Sequence, residues 1–277
     1  MDSVIGERDY RLICALVGEH SRIHLGPQKR EFVASRVRKR LRALGLSDIK
    51  AYGKLLRSPG ASEEIPHLVN VISTNVTHFF REMKHFQFLK DVIVSKWLQE
   101  ADTGPTPSFR IWSAASATGE EPYSLAILLS EALRDRPGSW QVEASDISTH
   151  ALAAATRGIY ERQHLKLVSP EWLGRYFQQG TGEWTGHYRI KDSLRPHVRF
   201  HHVNLFQPGY PFPPGFHAIF CRNVMIYFDR PTQEELLQRL SRNLLPGGFL
   251  VVGHAESLAT IPHSLENFRP SIARKPL

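Results

Sequence analysis

The spacing of hydrophobic and polar positions divides the chain into two parts with different periods. Over the first hundred residues apolar side chains recur every three or four positions, as on a helix that buries one face. Leu12, Ile13, Leu16 and Val17 make one such stripe, and Val33, Val37, Leu41 and Leu44 make a second that Gly45 can close. Ser47 is placed to cap a third segment carrying Tyr52, Leu55 and Leu56, which Ser58-Pro59-Gly60 ends. Ile65, Leu68, Val69 and Ile72 form a fourth, and Phe86, Leu89, Ile93 and Trp97 place a long helix from about Arg81 to Glu100. Residues 101–108, rich in Pro, Thr and Gly, read as a linker.

Beyond the linker, short apolar runs alternate with helical patterns. Strands are expected at 109–114, 141–145, 197–203, 216–221 and 248–252, and helices at 121–134, 148–156 and 232–245. That alternation predicts a doubly wound α/β sheet. After Cys221 the apolar run resumes as a strand-like segment, Val224 to Phe228. Residues 172–195, where β-forming residues flank Gly180, Gly182 and Gly186, predict a small inserted antiparallel β subdomain. The expected organisation is an all-helical domain over 1–80 followed by an α/β domain over 81–277.

Within the second part, Phe109 to Ser124 carries the most information. A buried strand breaks into small residues and a helix begins near Glu121-Pro122, the arrangement by which α/β folds bring a ligand against the backbone. A phosphate site would keep bare amides and a lysine there. Glu120 and Glu121 instead point to a cationic or zwitterionic ligand without phosphate, such as S-adenosylmethionine.

Composition narrows the classes of function. Hydrophobic residues at 42% support a large core, and no apolar run reaches the ~20 residues of a membrane span. The N-terminus lacks the build of a signal peptide, and Cys14 and Cys221 give neither a disulfide framework nor a metal spacing. A cytoplasmic protein without membrane insertion is expected, with monomer as the default state. The formal charge of +8 implies an acidic partner. Lys29, Arg30, Arg36, Arg38, Lys39, Arg40 and Arg42 oppose a single acid, Glu31, so the basic helix 29–42 reads either as a docking face or as a solvated one.

Candidate site residues cluster at expected strand ends. Asp146 is placed to accept ribose hydroxyls or to cap the helix after Ser148. Asn204-Leu205 reads as an adenine bracket or a polar turn, and Arg222-Asn223 ends a strand that should otherwise be buried. Asn75, Thr77 and Arg81 join the two parts and read either as capping and surface residues or, with Phe79 and Phe80 beside the Arg, as the frame of a semi-buried cation that needs a carboxylate partner from ligand or substrate. His20 and His24 sit at i, i+4 without a completing ligand, so no metal is assigned. No Gly-x-Ser-x-Gly elbow supports a hydrolase.

Together these segments resemble the chemotaxis receptor glutamate methyltransferases of the CheR type. The matching motifs, in order, are Thr74-Asn-Val-Thr-His-Phe-Phe-Arg-Glu82, Trp112-Ser-Ala-Ala-Ser-Ala-Thr-Gly-Glu-Glu-Pro-Tyr-Ser124, Ala144-Ser-Asp-Ile147, and Ala218-Ile-Phe-Cys-Arg-Asn-Val-Met-Ile-Tyr-Phe-Asp229, with Phe249 to Ser257 as the next strand and turn. The resemblance implies a Rossmann-like class I methyltransferase domain behind the helical one. It implies an S-adenosylmethionine site lined by Asn75, Thr77, Arg81, Glu121 (in preference to Glu120), Asp146, Asn204, Leu205, Arg222 and Asn223. Arg81 and Tyr227 match positions facing the transferred methyl and its acceptor, a receptor glutamate. The basic helix corresponds to the surface docking on acidic receptor helices. The loop Gly180 to Gly186 resembles the version of the β subdomain that binds a receptor tail, although Glu183 and Trp184 depart from the family pattern. The chain stops soon after Arg269-Pro270, short of the family length, which leaves the last strand open.

Rival readings are weaker. A nucleic-acid methyltransferase would need an Asn/Asp-Pro-Pro-aromatic loop or a Pro-Cys nucleophile, and neither is present. An NAD-dependent oxidoreductase would need the missing Gly-x-Gly-x-x-Gly. A non-catalytic S-adenosylmethionine-binding module of the same fold would bind ligand without turnover.

Overall fold

The helical stripes at the start of the chain become α1 (Glu7–Ser21), α2 (Arg30–Leu44), α3 (Ile49–Leu55) and α4 (Ala61–Ile72) in a computed structural model, which describes residues 5–101, 108–134 and 139–277. The expected linker, apart from its two end residues, lies outside the described residues. Two units emerge, one running to Thr74 and including Tyr227–Thr232, the other comprising Asn75–Ile226 and Gln233–Leu277.

In the first unit Ile13, Val17, Val33, Val37, Leu41, Tyr52, Leu68 and Ile72 meet in one apolar core. Gly45 closes α2 at φ 65°, a conformation open to glycine at little cost. Asp48, not Ser47, caps α3, its Oδ1 accepting from the Ala51 amide at 2.8 Å. Two cations of the basic run are used internally. Arg40 donates through both Nε and Nη2 to the buried Glu64 at 2.7 Å, where Tyr52 Oη also donates at 2.7 Å, and Arg30 pairs with Glu7. Lys29, Arg38, Lys39 and Arg42 stay exposed, and Arg36 lies over the Phe32 ring.

The second unit starts with α5 (Met83–Phe88), which runs through a π-helical stretch, Leu89–Val94, into α6 (Ser95–Ala101). Its helix begins two residues later than expected because Phe80 and Glu82 are left-handed, at φ 54° and 59°. The i→i+5 bonding of the π stretch sets Leu89 over Val94, and both are buried with Phe86, Ile93 and Trp97. There follow β1 (Phe109–Ala114), α7 (Glu120–Ala132), β2 (Trp140–Asp146), α8 (Thr149–Arg157), β3 (Ile159–Glu161), α9 (Pro170–Tyr176), β4 (Phe177–Gln179), β5 (His187–Ile190), β6 (Val198–His202), β7 (Phe216–Phe220), α10 (Arg230–Asn243), β8 (Leu244–Val251), β9 (Glu266–Arg269) and β10 (Ile272–Arg274).

All five expected strands of the large sheet form and run parallel, in the order β6-β2-β1-β7-β8, and β10 and then β9 extend it antiparallel. The strand left open at the end of the chain is thus present. Ser113 pairs with both Ala144 and Phe220, so the carboxyl ends of β1, β2 and β7 are level. The chain leaves β1 toward β2 on one side and has β7 on the other, which makes this edge the crevice where doubly wound sheets bind ligands. Two expectations need correction. Val224 to Phe228 is not a strand: Asn223 turns at φ 58° and Met225–Tyr227 form a 3-10 turn. The β subdomain starts well before 172, since β3 pairs with β5, in a sheet ordered β3-β5-β4. A three-residue strand straight after the Gly158 helix terminus is too short to show a period.

His217 on β7 stacks on Phe109 at 4.7 Å, and its Nδ1 accepts from the Arg110 amide at 3.1 Å. Burial pushes its pKa down to about 4. A folded pKa below the unfolded one means that its contribution is complete above about 6.5 and fades as pH falls toward 4. His217→Gln keeps an acceptor but cannot titrate, so the fall in Tm between pH 7 and pH 5 should be smaller in the variant. Identical slopes in thermal melts would remove His217 from the acid response.

Candidate functional site at the carboxyl edge of the sheet

Between β1 and α7 the chain makes a tight loop in which Ala115 (φ 62°), Ala117 (φ 48°) and Gly119 (φ 98°) are all left-handed. Two alanines in that region carry strain that the surroundings must impose. A Cβ on Gly119 would lie 2.7 Å from Tyr160 Oη and 2.8 Å from Ala155 Cβ, so only glycine fits. Tyr160 Oη donates to the Thr118 carbonyl at 2.9 Å, and the Ser116 amide donates to the Ser145 carbonyl at 2.8 Å. The Ser116 hydroxyl is buried with no hydrogen-bond partner among the described residues.

The two acids that follow point to different neighbours. Glu120 is fully buried, its carboxylate held by Thr118 Oγ1 at 2.7 Å and His164 Nδ1 at 2.9 Å. Glu121 accepts from Ser113 Oγ at 2.7 Å and from Arg222 Nη1 at 2.9 Å, which places it at the β1/β7 switch point. Glu120 is thereby engaged within the loop, and Glu121 is engaged across the ends of β1 and β7.

Asp146 ends β2 with both oxygens engaged, Oδ2 by the Ala117 amide and Oδ1 by the Ser148 amide, each at 2.8 Å. The helix cap is Ser148 itself, whose Oγ accepts from the Ala151 amide. Burial pushes the Asp146 carboxyl above its ordinary range, against the pull of the Ser148, Ala117 and Ile147 amides. Each of its oxygens keeps a lone pair for a hydroxyl donor. Asn204 follows β6, its Oδ1 accepting from the Phe206 amide at 3.0 Å, with Leu205 buried beside it.

Arg222 leaves the end of β7 with its side chain only 2% exposed, bridging two acids. Nη1 meets Glu121, Nη2 donates to Glu82 Oε2 at 2.9 Å and to the Arg81 carbonyl, and the guanidinium lies 5.5 Å from the Phe86 ring centre. Burial pushes Glu82 up, but the bonds from Arg222 outweigh it and hold the carboxyl below its ordinary range. Glu256 organises the same turn from below, accepting from the amides of Asn223 at 2.8 Å, Met225 at 2.7 Å and Gly253 at 2.6 Å. These bonds divert the chain from the strand expected at 224–228. Arg81 is half-buried, and among the described residues its guanidinium makes one hydrogen bond, to the Val76 carbonyl at 3.2 Å.

Of the residues singled out in the sequence, Arg81, Glu121, Arg222 and Asn223 are linked through Glu82 and Arg222, and Asp146 joins the loop of Glu121 through Ala117. Asn204 and Leu205 lie on the loop after β6, whose last residue pairs with Asp146. Asn75 and Thr77 are half-buried near the start of this unit. Tyr227 groups with the helical unit, its carbonyl accepting from the His24 amide at 2.8 Å. Sequence reasoning missed Glu82 and Glu256 as site residues, although both lie in quoted motifs; each acid stands next to a turn, and the partners that bring it to the site, Arg222 for Glu82 and the Asn223 and Met225 amides for Glu256, are more than thirty residues away.

The donor set fits the expected cofactor. A crevice acid suits an amino group, an Asp at the end of β2 suits vicinal hydroxyls, and the partnerless Ser116 hydroxyl marks a loop built to meet another polar group. Comparison with known proteins agrees. Residues 8–73 match the family model described as the CheR methyltransferase all-alpha domain, and residues 75–273 match the CheR methyltransferase SAM-binding domain. The chemotaxis protein methyltransferase of Salmonella typhimurium is 43% identical over 257 residues, covering 93% of this chain and 86% of that protein. Chemotaxis protein methyltransferase 2 of Pseudomonas aeruginosa is 40% identical over 260 residues, covering 94% and 87%. The match thus spans the helical part, the α/β part and the loops that hold Glu121, Asp146 and Arg222, and the chain belongs to the CheR methyltransferase family.

Proposed function

We propose that the protein transfers a methyl group from S-adenosylmethionine to glutamate side chains of chemoreceptor cytoplasmic helices, giving methyl esters. The observation that carries this reading is the contrast between two arginines. Arg222 has both terminal nitrogens engaged, by Glu121, Glu82 and the Arg81 carbonyl, whereas Arg81, next to it along the backbone contact, spends its guanidinium on one carbonyl. A half-buried cation with donors to spare suits a carboxylate acceptor. An acceptor glutamate with pKa near 4.3 is already ionised at neutral pH, so no general base is required.

S-adenosylmethionine, when bound, supplies the methyl on a sulfonium that is its own leaving group. Glu121 would receive its amino group, Asp146 its ribose, and Asn204 and Leu205 its adenine, with Asn75, Thr77, Arg222 and Asn223 completing the wall. Arg81 would hold the acceptor carboxylate in line with the methyl, and Tyr227 is assigned to the same step by its motif. Such positioning can contribute roughly 7–11 kcal/mol.

Residues 1–80 would act as the receptor-docking domain and 81–277 as the methyltransferase domain. Exposed Lys29, Arg38, Lys39 and Arg42 of the basic run suit acidic receptor helices, and the β subdomain suits a receptor tail. Among the described residues no helix is long and apolar enough to cross a membrane. The protein would act as a cytoplasmic monomer that meets receptors at their inner ends. The test is transfer of labelled methyl to chemoreceptor-containing membranes. Label released as methanol by base is expected. Tight cofactor binding with no base-labile label on several receptors would favour a sensing module instead.

A further inference from the structure

We propose that Glu82, His85 and His254 form a binding site for a divalent transition ion of the zinc class. Their candidate ligand atoms all lie within 4.8 Å of one another. Two imidazoles and a carboxylate are a donor set suited to such ions, and they leave coordination positions for water. Donors around a tetrahedral ion at about 2.1 Å stand roughly 3.4 Å apart. His85 Nδ1 and Glu82 Oε2 are already 3.3 Å apart.

A second observation points the same way. His85 is 2% exposed, and its Nδ1 has no hydrogen-bond partner among the described residues. Its Nε2 shares a hydrogen bond of 2.8 Å with Ser271 Oγ, which fixes the ring as an outer-shell partner fixes a metal-binding histidine. The two imidazoles stand edge to face with centres 4.5 Å apart. His254 is exposed, so its ring can turn to close the remaining gap and gives an ion a way in from solvent.

The site meets a competing charge. Arg222 Nη2 is 2.9 Å from Glu82 Oε2, and Asn223 Nδ2 is 3.4 Å from Oε1. An ion on Glu82 repels that guanidinium and weakens its hold on the carboxylate, and Arg222 also carries Glu121. Ion and cofactor should therefore oppose one another, by the same factor in each direction; this coupling rests on the assignment of Glu121 and Arg222 to the cofactor site.

The experiment uses the full chain, freed of metal and titrated with Co²⁺ as a spectroscopic probe and with Zn²⁺ by calorimetry. One equivalent of Co²⁺ with ligand-field absorption is expected, and His254→Ala should weaken binding of both ions by tenfold or more. His254 is on the surface, so the variant should fold; His85→Ala opens the core and is the poorer probe. Saturating S-adenosylhomocysteine should weaken Zn²⁺ binding several-fold. Absent ligand-field absorption, or equal binding by His254→Ala, overturns the site. Unchanged Zn²⁺ affinity with S-adenosylhomocysteine bound overturns the coupling alone, and failure of S-adenosylhomocysteine to bind at all instead counts against the cofactor assignment.

Discussion

Arg81→Ala should lower kcat by about 100- to 1,000-fold, the usual cost of removing one preorganised donor at a reacting oxygen, while affinity for S-adenosylmethionine changes only a few-fold. The split follows from what Arg81 touches. Its guanidinium bonds only the Val76 carbonyl among the described residues, and its contact with the crevice runs through its own carbonyl, which Arg222 meets and which alanine retains. Truncation therefore removes the side-chain cation and keeps the backbone that Arg222 uses. An arginine that gripped the acceptor too tightly would dull its nucleophilicity, so the benefit must lie in orientation rather than ground-state binding. Arg81→Lys should consequently recover little, because an ammonium lacks the planar fork that fixes a carboxylate. Single-turnover methyl transfer beside calorimetric cofactor titration separates the two effects. A normal rate in Arg81→Ala would sink the role, and an equal loss of rate and affinity would make Arg81 a cofactor residue only.

Much of the fold was legible because its elements are long enough to show a period. The inner parallel strands β1, β2, β7 and β8 are largely buried and read as apolar or small-residue runs, whereas the edge strand β6, partly exposed, was marked only by Val198 and Phe200. What escaped the pattern was short or held by distant groups. β3 is three residues long and pairs with β5, nearly thirty residues later. The run Val224 to Phe228 has the composition of a strand, but Glu256 draws the Asn223 and Met225 amides into a turn. The late start of α5 depends on left-handed Phe80 and Glu82, residue types whose identity does not announce that conformation.

The site divides in the same way. The motif favours Glu121 over Glu120, while the contrast between their neighbours is tertiary: Thr118 and His164 hold Glu120, and Ser113 and Arg222 hold Glu121. Glu82 was visible only as a neighbour of Arg81. Its importance depends on Arg222, 140 residues away, which no local spacing reveals.

That long-range pair gives the largest expected effect on stability. Arg222→Met should cost about 3–5 kcal/mol, because the change leaves two partly buried carboxylates without their shared cation. The Arg222 side chain is 2% exposed, and those of Glu82 and Glu121 are 15% and 13% exposed, so water screens little of the loss. A fall in Tm on the order of 10 °C is expected at pH 8. The pH dependence supplies a sharper signature. In the native protein Arg222 overrides burial and holds Glu82 below its ordinary range, so the carboxylate stabilises the fold above about pH 4.5. With methionine at 222 only the bonds from Asn223 and the His254 amide still oppose burial, and the Glu82 pKa is expected to rise above the unfolded value. The variant then folds most readily with Glu82 protonated and loses stability as pH climbs through that raised pKa. The gap between the two proteins should widen from pH 5 to pH 8, and adding Glu82→Gln to Arg222→Met should narrow it, since the pair is coupled rather than additive. Denaturant titrations at the two pH values read both effects. A gap that is the same at pH 5 and pH 8 would show that Arg222 acts by packing on Phe86 and not as the counter-ion of these acids.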